Sequence, residues 1–69
     1  MNAIMRMRQE KGITQAALAE AAGVSQPFIY DLERGHRGAK MATLEKIADV
    51  LGCSVSELYD DERFKREDD

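Results

Sequence analysis

Apolar residues recur along this chain at helical spacing, and a glycine follows each cluster. The clearest stripe is Leu44, Ile47, Ala48 and Leu51, at i, i+3, i+4 and i+7, which predicts an amphipathic helix from about Met41 to Leu51. Ile4 and Met7 mark the inner face of a first helix, capped by Asn2 and running to about Lys11. Thr14 caps a second helix reaching Ala21 or Ala22, in which Leu18 and Ala22 share a face. Ser25 caps a third, from Gln26 to about Arg34, with Ile29 and Leu32 inward. Pro27 lies in its first turn, where a missing N–H costs nothing. Gly12, Gly23, Gly35 and Gly52 supply the stops. Ser54-Val55-Ser56-Glu57 has the form of a capping box and predicts a short fifth helix carrying Val55 and Leu58. Strand-like alternation and internal repeats are absent from the sequence, so the expected fold is an all-α globule of five helices.

The stretch from Thr14 to Gly35, TQAALAEAAGVSQPFIYDLERG, carries the most information. It reads as two short helices joined by a tight turn at Gly23. Leu18, Ala19, Ala22, Val24, Ile29 and Leu32 fall where the pair buries its facing sides. Gln15, Gln26, Pro27, Tyr30, Asp31 and Arg34 fall on outward positions. One helix is thereby held against the body while the next presents a mostly polar edge, an arrangement suited to the major groove of DNA.

The segments RQEKGITQAALAEAAGV, SQPFIYDLERG and TLEKIADVLGCSVSELY, in this order, resemble the phage-repressor-like helix-turn-helix family (Cro/cI, also called XRE). The resemblance covers about residues 3 to 59. It implies a lambda-repressor-like domain whose second and third helices form the motif, the third being the recognition helix. It also implies that Gln15 anchors a phosphate, that Gln26, Pro27, Tyr30 and Asp31 face bases, and that Arg34 contacts the backbone. Related folds pair the positions of Arg8 and Glu33, so a partly buried ion pair between the first and third helices is expected. Two residues depart from the family pattern. Pro27 replaces a polar side chain and offers only apolar contact, and Lys40 stands where a Ser commonly caps the fourth helix.

The chemistry of the candidate residues agrees with that implication. An amide such as Gln26 both donates and accepts, which matches adenine N6 and N7. Asp31 either accepts from cytosine N4 or is a solvated partner for Arg34 or another nearby cation. Phe28 either touches a thymine methyl or packs on the fourth helix. Arg37 and Lys40 follow the recognition helix closely and complete a phosphate clamp with Gln15 and Arg34. His36 is read as a loop residue, and Cys53 as a small buried hydrophobe rather than a redox switch. Leu58, Tyr59 and Phe64 are candidates for a dimer surface.

Charge complicates the picture, because the 69-residue chain has a formal net charge of −3. Its distribution resolves the conflict. Residues 60–69, DDERFKREDD, hold six acidic and three basic residues and so carry the whole −3, while residues 1–59 hold seven of each and are neutral. A neutral body presents a basic face when its charges are segregated. The expected organisation is a helix-turn-helix domain over residues 1–59 and an acidic tail over residues 60–69.

Hydrophobic content of 43% and charged content of 33% suit an ordinary globule. No apolar run approaches the roughly 18 residues of a membrane span, and residues 1–9 have no signal-peptide core. A single Cys excludes an internal disulfide and fits a reducing cytoplasm. One His, one Cys and no phosphate loop or paired catalytic constellation argue against an enzyme, a metal site or a cofactor. The expected partners are double-stranded DNA and a second copy of the chain, with no membrane and no small-molecule ligand. The expected function is a sequence-specific regulator, a repressor binding a palindromic operator as a homodimer. The competing reading is a protein-interaction module on the same fold, antitoxin-like or antagonistic, which the acidic tail and Asp31 favour.

Overall fold

The computed structural model describes residues 3–59, apart from the side chain of Tyr59. Among these are four α-helices, α1 (Ala3–Lys11), α2 (Gln15–Ala22), α3 (Gln26–Glu33) and α4 (Met41–Leu51), followed by a 3-10 helix, Val55–Tyr59. The Asn2 cap and the tail over residues 60–69, Phe64 included, lie outside the described residues.

Local chemistry sets the helix boundaries. The Thr14 hydroxyl accepts from the Ala17 N–H at 3.0 Å, and the Ser25 hydroxyl accepts from the Phe28 N–H at 3.2 Å. Gly23 closes α2 in the left-handed conformation, φ 74°, donating toward the carbonyls of Ala19 and Glu20. This geometry lets the chain reverse within Gly23-Val24-Ser25 and start α3 at a fixed angle to α2. Lys40 caps α4 without a side-chain hydrogen bond, yet the helix starts at Met41 as the pattern predicts. Its stability therefore comes from its buried stripe rather than from a cap.

The short fifth helix that the sequence predicts takes the 3-10 form. The Glu57 N–H donates to the Ser54 carbonyl at 3.2 Å, an i→i+3 bond. Only half of the capping box forms, the Ser54 N–H reaching Glu57 Oε1 at 3.4 Å. The five residues close as one tight turn because Leu58 must reach the core, where it is fully buried. That burial removes Leu58 from the candidate dimer surface.

Ile4, Leu18, Ile29, Leu32, Leu44, Ile47 and Leu58 are the largest fully buried side chains. Ala19, Ala22 and Ala48 complete the cluster and let the backbones approach closely. Within it α2 packs on α3 and α4, and the 3-10 helix closes against α1 and α4. Cys53 is half-buried against this core, and burial, then Glu57, pushes its thiol pKa up.

Glu33 is the buried polar residue of this core. Its side chain is 1% exposed and lies 2.6 Å from Arg8 Nε, whose side chain is 11% exposed. Arg8 Nη2 also donates to Glu33 Oε1 at 3.2 Å, and Nη1 donates to the Ile13 carbonyl at 2.8 Å. Gln15 Nε2 adds a third donor to the carboxylate at 3.0 Å. One carboxylate thus joins α1, α2 and α3.

Two outcomes follow from this packing. Arg8→Met leaves a buried carboxylate short of its charge partner and should cost about 3 kcal/mol, a fall of more than ~10 °C in Tm for a domain of this size. Thermal melts followed by circular dichroism check it, and an unchanged Tm refutes the burial. A raised thiol pKa means less thiolate at a given pH. Cys53 should therefore be alkylated by iodoacetamide at pH 8 more slowly than free glutathione, and Glu57→Gln should speed the reaction.

Candidate nucleic-acid interface

The inner face of α3 is spent on Ile29, Leu32 and Glu33, all buried. Helical geometry then turns Gln26, Pro27, Tyr30 and Arg34 outward, and all four are exposed. Asp31 is half-buried beside them. Tyr30 is 42% exposed, an unusual level for a large ring in this domain. Arg34 follows it by four residues and places its guanidinium 5.3 Å from the Tyr30 ring centroid. That contact holds a cation at the end of α3 without neutralising it.

A second guanidinium also stacks on an aromatic ring. Arg37 lies 4.0 Å over the ring of Phe28, and its Nε donates to the Gly38 carbonyl at 3.0 Å. Phe28 is half-buried against the core, so its ring forms a floor for the guanidinium rather than a free probe. Lys40 is exposed. Asp31 pairs with His36 rather than with Arg34. The His36 N–H donates to the Asp31 carbonyl at 2.9 Å, closing the end of α3. The ring Nδ1 is 3.9 Å from Asp31 Oδ1, with both side chains about half exposed, so this pair contributes little to stability.

Gln15 and Gln26 start α2 and α3, and the turn at Gly23 brings them together. Gln26 Nε2 donates to Gln15 Oε1 at 2.6 Å, and Gln15 in turn donates to buried Glu33. Gln15 is half-buried as a result, its amide turned partly inward. The structure therefore groups Gln15 with Gln26, Tyr30 with Arg34, and Phe28 with Arg37. Sequence reasoning missed these three contacts. Only the Tyr30–Arg34 spacing of four on one helix carries a local signal for such a pair.

A shallow groove of about 350 Å³ lies between the ends of α1 and α4, lined by Met7, Glu10, Lys11, Leu51, Gly52, Cys53 and Glu57. No cluster of three metal-ligating residues occurs among the described residues. None of their helices is long and apolar enough to cross a membrane.

A capped helix, a three-residue turn and a second capped helix with a buried inner face and a polar outer edge define a helix-turn-helix domain. The chain belongs to the helix-turn-helix family, of the XRE type, whose model matches residues 4–58. It is 35% identical over 65 residues to the immunity repressor protein of Bacillus phage phi105, covering 94% of this chain and 45% of that protein. It is 43% identical over 53 residues to the uncharacterized HTH-type transcriptional regulator y4dJ of Sinorhizobium fredii, covering 77% of this chain and 69% of that one. The chain thus spans about half the length of the phage repressor it matches. Among solved structures it is similar to the N-terminal DNA binding domain of SinR from Bacillus subtilis. The TM-score is 0.77 at 37% identity, over 86% of this chain and 87% of that one.

Proposed function

We propose that this chain is a sequence-specific DNA-binding transcriptional regulator, a repressor that acts on a palindromic operator as a homodimer. The exposed outer edge of α3 carries the reading: Gln26, Pro27 and Tyr30 stand clear of the globule while the other face of the same helix is buried. In this reading Gln26, Pro27, Tyr30 and Asp31 face the bases. Gln15, Arg34, Arg37 and Lys40 engage the backbone. Gln26 offers an adenine the donor and acceptor it needs, and Asp31 accepts from a cytosine. A carboxylate in the groove also rejects other bases by leaving its charge unpaired.

One helix of eight residues spans too few base pairs to define an operator. Two copies with recognition helices about 34 Å apart read two half-sites one turn apart. The names of the relatives, an immunity repressor and an HTH-type regulator, support the regulatory role. The interaction-module reading predicts no uptake of any duplex.

Selection of bound sequences from random duplex DNA tests the proposal. A palindromic consensus is expected, with affinity falling steeply as salt rises. Gln26→Ala should cost about 1–3 kcal/mol on the selected site and relax preference at one position in each half-site. Arg34→Ala should weaken all sequences alike and reduce the salt slope by about 1. Absence of duplex binding even in dilute buffer overturns the DNA reading, and a monomer on DNA by sedimentation overturns the dimer.

A further inference from the structure

We propose that the buried carboxylate of Glu33, acting through Gln15, sets which way round the Gln26 amide meets a base. The proposal rests on the reading that Gln26 faces bases and adds a specificity-determining residue that touches no DNA.

The hydrogen bonds have a forced order. A carboxylate only accepts, so the atom that Gln15 turns toward Glu33 is Nε2, at 3.0 Å. Gln15 then turns Oε1 outward, and an amide oxygen also only accepts. The atom of Gln26 facing it is therefore Nε2, at 2.6 Å. The polarity starts at the Glu33 carboxylate, an acceptor at both oxygens, which lies 2.6 Å from Arg8 Nε. It ends on an exposed amide at the first turn of α3. Three side chains separated widely in sequence carry a direction from the core to the surface.

That direction has a chemical consequence. The terminal torsion of a glutamine is broad and close to two-fold, so an unpinned amide presents either end. In the pinned state Nε2 stays on the Gln15 side, the side of the candidate phosphate contact. One amide proton is used by Gln15, and Gln26 retains a second proton and Oε1. This ordered pair matches adenine, whose N7 accepts and whose N6 donates. It opposes guanine, whose O6 would face Oε1. A rotated amide instead offers N–H to guanine O6 and loses the discrimination. Glu33 is thus a positioning residue as well as half of an ion pair.

The experiment compares equilibrium affinities of the 69-residue chain for the selected operator and for the same duplex with G·C in place of A·T. The altered position is the one whose preference Gln26→Ala removes. Measurements are made at a temperature where circular dichroism shows each variant folded. Glu33→Gln introduces an N–H that draws the Gln15 oxygen inward and reverses the order. Arg8→Lys weakens the same ion pair but leaves the Glu33 side chain, with its acceptor oxygens, facing Gln15. The ratio of affinities, adenine over guanine, should fall at least about fivefold in Glu33→Gln, the low end of a bidentate contact's discrimination. It should stay within about twofold of wild type in Arg8→Lys, because that substitution leaves the acceptor-only end of the relay in place. Gln15→Leu removes the relay at a half-buried site and should lower the ratio similarly. It decides the matter alone if Glu33→Gln does not fold. An unchanged ratio in Glu33→Gln or Gln15→Leu overturns the proposal, and so does an equal fall in Arg8→Lys, which marks a purely structural effect. If Gln26→Ala removes no preference anywhere, or removes one for a base other than adenine, the adenine reading falls and the proposal with it.

Discussion

Placing the Glu33 carboxylate inside a 69-residue protein is a severe constraint, because an unpaired buried charge costs several kcal/mol. A domain of this size has little stability to spare. Arg8 satisfies both carboxylate oxygens, and Gln15 satisfies one of them again. The partners come from α1 and α2 while Glu33 sits at the end of α3. Packing alone would hold α3 against the core through Ile29 and Leu32, but apolar contact is not directional. The hydrogen bonds to Glu33 fix the rotation of α3 about its own axis. That rotation decides which residues form its outer edge.

The outer edge depends on this geometry in a second way. Aromatic rings hold its guanidinium groups in place. Arg34 lies near the Tyr30 ring and Arg37 lies over Phe28, whereas the carboxylate inside is matched by Arg8. A body with seven acidic and seven basic residues over residues 1–59 thus places Arg34, Arg37 and Lys40 at and just beyond one end of α3. Segregation rather than net charge makes the surface suitable for a polyanion.

Most of the fold was legible in the sequence. The stripe at Leu44, Ile47, Ala48 and Leu51, the caps Thr14 and Ser25, and the glycine stops are local signals, and α2 and α4 begin where those signals place them. The fifth element was legible as a short helix but its 3-10 form was not, because the demand that Leu58 reach the core is a tertiary one. The same demand removed Leu58 from the surface. Outward positions on α3 were legible from helical periodicity. The partners of those side chains were not: Gln15 meets Gln26 eleven residues on and Glu33 eighteen residues on, and no period of the chain encodes either separation.

By itself, then, the order of residues determined four helices, their ends and the face each turns inward. These depend on hydrogen bonds and apolar spacings within a few residues. Only the tertiary structure decided that Glu33 collects Arg8 and Gln15, that Gln15 turns its nitrogen inward, and that Arg37 rests on Phe28. Those contacts join separate helices and loops, and a side chain's direction is settled by what the fold brings within reach.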